Sequence, residues 1–245
     1  MRSEERHKLK ENQFARSVAG ATAALETRKR DITLAITAVV VLLVAIGGYS
    51  WWRQSGTEKS SEALGTALAV YQAPVVPAPE VAPGSAPPVQ QPGTYLTERA
   101  KLEAALPKFV EAADKYPSSE AGITARYHAA GILATLGRYP EAEQQYQQVV
   151  SKAGNGLYAE TAKLGLADAQ VAQQKYDSAI TLYTDLSRNS QLPGDGVLMQ
   201  LGRAQMLAGK KAEALTTFGK VTKDFPQSLY AADAQRELDA AKKPS

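Results

Sequence analysis

The chain has 245 residues, with 28 Lys plus Arg against 25 Asp plus Glu, a formal charge of +3, 13 prolines and no cysteine. The positive excess lies entirely in the first 31 residues (8 basic, 5 acidic), and from Arg53 onward 20 basic residues balance 20 acidic ones. That balance argues against a nucleic-acid partner for the long C-terminal part, which lacks a phosphate-neutralising excess; the missing thiols exclude disulfide staples and thiolate metal sites and fit an oxidising exported space.

Met1–Asp31 is a short, charged segment whose apolar residues Leu9, Phe14, Val18, Ala21 and Leu25 recur at spacings of three to five. Such a stripe is too thin to fold alone, so a helix on a membrane surface or a cytoplasmic partner competes with a solvated tail. His7 has no second metal ligand at convincing spacing and reads as a surface residue.

Ile32–Trp52 is a run of 21 residues without a charge. As a helix it spans roughly 31 Å, close to the hydrocarbon thickness of a bilayer. It is expected to contact membrane lipid as a single transmembrane signal anchor. Arg16, Arg28, Lys29 and Arg30 precede the run and only Arg53 and Lys59 follow it within 20 residues, which predicts a cytoplasmic N-terminus. A cleaved signal peptide is the competing reading, because Ala45 with Gly47 and Gly48 with Ser50 form small-x-small triplets. The length of the run and its start at Ile32 favour an uncleaved anchor. Tyr49, Trp51 and Trp52 stand at its outer boundary, where amphipathic rings prefer the headgroup level.

Residues 53–73 form a membrane-proximal segment. After Gln54–Thr57 it takes on the pattern of an amphipathic helix, with Ala63, Leu64, Ala67, Leu68 and Tyr71 at helical spacing over Glu58–Ala73. Pro74–Gly93 carries seven prolines in 20 residues, which excludes helix and central strand and predicts an extended linker or loop insertion. Docking of this segment into a proline-reading groove is the alternative.

From Thr94 to Ser245 helix follows helix, in register. An alanine followed four residues later by an aromatic occurs as Ala105 and Phe109, Ala142 and Tyr146, Ala179 and Tyr183, Ala214 and Phe218, at intervals of 37, 37 and 35 residues. Twelve residues before the last three alanines stand the small residues Ala130, Ala167 and Gly202. Pro117 and Pro226 lie in the near-copies KYPSSEAGITA and DFPQSLYAADA, and turn signals recur as Gly137 with Tyr139, Gln174 with Tyr176, and Gly209 with Lys211.

These landmarks resemble the tetratricopeptide repeat (TPR), a helix-turn-helix unit with small residues where its paired helices touch and an aromatic in the next gap. The resemblance implies an all-α fold, a TPR-like α-solenoid of antiparallel helix pairs following the N-terminal transmembrane helix, closed by a capping helix over Gln227–Lys242. The chain departs from the family pattern where Gly154 and Gln191 replace the proline and Lys211 replaces tyrosine. Pro107 is expected to kink its helix or delay its start. Glu58–Ala73 reads either as the first helix of a leading repeat, paired with Tyr95–Lys115 across the proline insertion, or as a separate helix.

No catalytic constellation, phosphate loop or metal-spaced cluster is present in the sequence. His128 reads as a partly buried helix residue, and Glu141 and Glu143, two apart on a helix, point in different directions. The expectation is a non-enzymatic protein with no cofactor and no metal. Transferring the repeat register places Tyr127, Gly131, Ala134, Leu164, Asp168, Val171, Met199, Arg203 and Met206 on the groove face of the stack. Of these, Tyr127, Asp168, Val171, Met199, Arg203 and Met206 are the candidate partner-binding residues: an adaptable lining with charges that orient a peptide. The competing reading buries Met199 and Met206 in the core.

The layout is similar to that of bitopic inner-membrane proteins with a periplasmic TPR domain, such as the YfgM-like ancillary subunits of the Sec translocon. That likeness implies a binding module for exported polypeptides near the translocon or periplasmic chaperones. Two alternatives stay open: a structural scaffold for cell division or outer-membrane biogenesis, and a regulator acting through its cytoplasmic tail.

Overall fold

The computed structural model describes residues 29–78, 91–154 and 156–242, with side chains outside the description at 29–32, 35–36, 47–55 and 241–242. The expected features at His7, along the Leu9–Leu25 stripe and through most of the proline-rich segment therefore lie outside the described residues. The chain divides into two units, Met1–Gly56 and Thr57–Ser245.

Helix α1 spans Lys29–Tyr71. In the first unit, Leu34, Val39–Val44 and Ile46 each leave between 51% and 69% of their surface exposed. Among the described residues no helix is long and apolar enough to cross a membrane. The expected span at Ile32–Trp52 is thus not shown by the structure; its end residues, including Tyr49, Trp51 and Trp52, have side chains outside the description.

Beyond the proline-rich segment the second unit continues as a series of helices: α2 (Glu98–Lys115), α3 (Glu120–Thr135), α4 (Tyr139–Lys152), α5 (Leu157–Ala172), α6 (Tyr176–Asn189), α7 (Gly194–Leu207), α8 (Lys211–Asp224) and α9 (Ala231–Lys242). From α2 onward each helix packs on the next, and α3 also touches α5, its counterpart one repeat later. Among the described residues the sole β feature is an isolated bridge between Val75 and Tyr95. Two backbone bonds make it, Val76 N–H to Tyr95 O at 2.8 Å and Tyr95 N–H to Pro74 O at 3.0 Å.

The repeat register is visible in the core. Ala105, Ala142, Ala179 and Ala214 are fully buried, and the aromatics four residues later, Phe109, Tyr146, Tyr183 and Phe218, expose no more than 6%. Alanine at the crossing lets two backbones approach, and the ring one turn on fills the space that this leaves between pairs. Ala63, Leu64, Ala67, Leu68 and Tyr71 of α1 join the core around Ala105 and Phe109, with the Tyr71 and Phe109 rings edge-on at 5.9 Å. The last turns of α1 thus contribute side chains to the core of the first helices of the stack. At the other end, α9 seals the stack by burying Ala234 against Met199, Phe218 and Val221.

Helix α2 starts at Glu98, where the Thr97 side chain accepts the Ala100 N–H at 3.1 Å, and Pro107 sits inside the helix without delaying that start. The near-copies around Pro117 and Pro226 build the same turn. Tyr116 and Phe225, which end α2 and α8, share φ near −130° and ψ of 55°, and their carbonyls accept the Ser119 and Ser228 N–H groups at 3.1 and 3.0 Å.

The turns inside the repeats are equally uniform. Arg138, Lys175 and Lys210 precede α4, α6 and α8 with φ of −85°, −83° and −84°, and each donates its N–H at 2.8 Å to the carbonyl of Leu133, Gln170 or Gln205. Each follows a residue in the left-handed region: Gly137 at 77°, Gln174 at 61° and Gly209 at 76°. Two repeats use glycine there and the middle one uses glutamine, whose Cβ costs roughly 1 kcal/mol in that conformation. Gln174→Gly is expected to stabilise the fold by about 0.5 kcal/mol, the relief being partly offset by a looser unfolded chain. A thermal midpoint unchanged or lowered relative to the parent is the contrary result.

Candidate functional site

The first helices of the repeats, α3, α5 and α7, carry the six candidate partner-binding residues. Their surroundings divide them. Tyr127 on α3 is half-buried among rings, 5.9 Å from Tyr146 on α4 and 6.0 Å from Tyr158 on α5. Asp168 on α5 remains open to solvent while its carboxylate accepts a hydrogen bond from the Tyr183 hydroxyl on α6. The protein around it desolvates the carboxylate and raises its pKa, an effect that the Tyr183 bond opposes.

The other four are used by the fold. Met199 on α7 is fully buried with Ala214, Phe218 and Val221, so its place in the groove is corrected to the core. The reason is geometric: its register position, shared with Tyr127 and Leu164, faces the following helix, and for α7 that helix is α9. Met206 is half-buried against the same cluster, and Val171 packs beside Ala167 and Ala179. Arg203 stays on the surface but reaches Asp233 of α9 at 3.6 Å. The structure therefore brings Tyr127 and Asp168 toward one place, through Tyr146, and takes the methionines elsewhere.

Tyr146 links them. Burial, then the neighbouring Tyr127 and Asp168, push its phenol pKa up to about 12. A Cβ built on Gly165, one turn before Asp168, would lie 2.8 Å from the Tyr146 hydroxyl oxygen, so the phenol rests directly against α5. Two further residues complete the region: Tyr158, with 42% exposed, which the repeat register did not single out, and Tyr183, which it singled out only as a core aromatic and whose hydroxyl reaches Asp168. A signal for the last was available. The repeated aromatic is Tyr at 146 and 183 but Phe at 109 and 218, and a phenol in a buried position needs a polar partner.

His128 is half-buried against Phe109, the two rings stacked at 5.1 Å, with Tyr71 at 5.9 Å. Desolvation lowers its pKa, so it packs as a neutral ring. Glu143 on α4 accepts bonds from Gln170 at 3.2 Å, Gln173 at 2.8 Å and Lys175 at 2.7 Å. Burial pushes its pKa up, and these bonds more than reverse that. It is a tie between repeats. Among the described residues no group of three metal-ligating side chains is placed to hold an ion.

A family model described as a tetratricopeptide repeat-like domain matches residues 29–193, and a second, described as a tetratricopeptide repeat, matches residues 197–228. No curated protein matches the chain. Among solved structures, the nearly identical TPR-like repeats of a candidate kinesin light chain from Podosopora anserina align with a TM-score of 0.51 and 17% identity, over 59% of this chain and 79% of that one. A Gln-to-Met variant of those repeats aligns with a TM-score of 0.51 and 18% identity, over 59% and 78%. At such identities the likeness speaks for the fold alone. With the helix pairs, the buried alanine and aromatic register and the family match over residues 29–193 in agreement, the chain belongs to the tetratricopeptide repeat-like domain family.

Proposed function

We propose that this protein is a membrane-anchored, non-enzymatic binding module that holds or hands on newly exported polypeptides near the Sec translocon or periplasmic chaperones. In this reading Ile32–Trp52 crosses the inner membrane once, the N-terminal segment lies in the cytoplasm and the repeat domain lies in the periplasm. The repeats themselves are a protein-interaction scaffold, since stacked helix pairs present side chains of successive first helices along one binding face. The observation that carries the membrane part is the uncharged run ahead of the repeats, with its basic excess on the N-terminal side. Anchoring would raise the effective concentration of the binding face where chains emerge.

An alkaline phosphatase fused after Ser245 tests the topology; activity in the exported space is expected, and activity confined to the cytoplasm overturns it. A photo-cross-linker at Leu207, exposed on α7, tests the role in living cells. Many unfolded exported chains are the expected adducts. One folded partner would replace the polypeptide-holding role with an envelope scaffold.

A further inference from the structure

Asp168 is a carboxylate without a cation. Apart from Tyr183, no hydrogen bond or ion pair reaches it among the described residues, and four basic side chains of this part of the stack pair with other acids. Lys163 pairs with Asp185 at 3.2 Å, Lys175 with Glu143 at 2.7 Å, Arg203 with Asp233 at 3.6 Å and Lys210 with Asp177 at 2.8 Å. The acid is nevertheless accessible, and the protein around it strips part of its hydration.

What stands beside it is aromatic. The Tyr146 phenol lies against α5 one turn from Asp168, and Tyr127 and Tyr158 continue the rings back to the first turn of α5. Ten residues of helix separate Tyr158 from Asp168, about 15 Å, which an extended polypeptide covers in four or five residues. An anion would be repelled here. A neutral apolar side chain would cover the carboxylate without pairing it, at a penalty. A lysine or arginine does neither: it pairs with the acid while its alkyl stem lies along the surface beside it.

We propose that Asp168, beside the Tyr146 phenol, is a subsite for a basic side chain of an extended polypeptide, with an apolar residue of that polypeptide lying four or five positions away against the exposed Tyr158 ring. This rests on the protein-binding reading above and gives that surface a chemical preference. Asp168 selects for positive charge; the rings supply area without selecting a sequence.

The test is fluorescence anisotropy with the full chain in detergent micelles. The probe is a labelled Gly-Ser peptide carrying one phenylalanine and one lysine four positions apart, and its versions with norleucine or glutamate in place of the lysine. The lysine peptide is expected to bind about tenfold more tightly than the norleucine one, with the glutamate version weakest. Asp168→Asn keeps an acceptor for Tyr183 and should remove that tenfold preference, weakening the lysine peptide and, because a neutral amide is cheaper to cover than a carboxylate, not weakening the norleucine one; Asp168→Glu should retain the preference in part. Asp185→Asn, on α6 and paired with Lys163, serves as the control acid and should change nothing. Equal binding of lysine and norleucine peptides, or an Asp168→Asn protein that still prefers lysine, overturns the subsite and leaves the interaction reading standing. Failure of all three peptides to bind also overturns the subsite, and cross-linking from Leu207 then decides the broader reading separately.

Discussion

Phe218→Ala is expected to lower stability by about 3–5 kcal/mol, the largest loss for any single side chain in the last repeat. The ring is fully buried and touches Met199, Val221 and Ala234, so it joins α7, α8 and α9 at once. Its removal leaves a cavity that alanine and glycine neighbours have no side-chain atoms to fill. For a domain of this size the thermal midpoint should fall by roughly 6–20 °C. Because a repeat stack is held by nearest-neighbour contacts, the loss should be local, and amide exchange should accelerate in α7–α9 before α3–α5. Uniform acceleration along the stack would contradict this. Gly202 offers an internal check, since a Cβ there would lie 2.4 Å from the Phe218 ring. Gly202→Ala should be costly alone and nearly harmless in the Phe218→Ala background, where it occupies vacated space.

Gly165→Ala is expected to cost about 3 kcal/mol through overpacking, at the upper end for one added methyl. The new Cβ would meet Tyr146 Cζ at 2.5 Å and Cε1 at 2.7 Å, and a ring only 6% exposed has no free direction in which to turn. Relief must come from moving α5 away from α4, which also withdraws Asp168 from the phenol. The urea midpoint should fall with little change in m, since the surface exposed on unfolding is nearly the same. Tyr146→Leu should be the suppressor: the double variant is expected to be more stable than Gly165→Ala alone. A double variant as unstable as the sum of the two single changes would show that the clash is not the cause.

The repeats were readable because two kinds of residue are forced by close packing. Alanine at 105, 142, 179 and 214 and the ring four residues on have no substitutes where helices cross at short distance, so the spacing survived in plain view and the burial agrees with it. The turns were readable for a related reason, since a left-handed residue was needed before Arg138, Lys175 and Lys210. The groove was harder. A register transferred from one repeat to the next assumes that each first helix has the same neighbours, whereas the repeat formed by α7 and α8 is followed by the single helix α9 rather than by another pair. That is why Met199 went to the core and Arg203 found Asp233. Asp168 was legible as a charge on the right helix; its setting among the phenols of Tyr146 and Tyr183 depends on which ring atoms reach between helices, which spacing alone does not encode.

The two bonds joining Pro74 and Val76 to Tyr95 bring the ends of the proline-rich stretch to a single point. Chain length between those ends is thereby decoupled from the register of the solenoid. Each doubling of such a closed loop adds only about 0.6 kcal/mol of closure entropy, so evolution or an engineer can lengthen, shorten or replace it with little effect on how the helices stack. A stapled base of this kind makes the stretch between Val76 and Tyr95 a separate evolutionary variable.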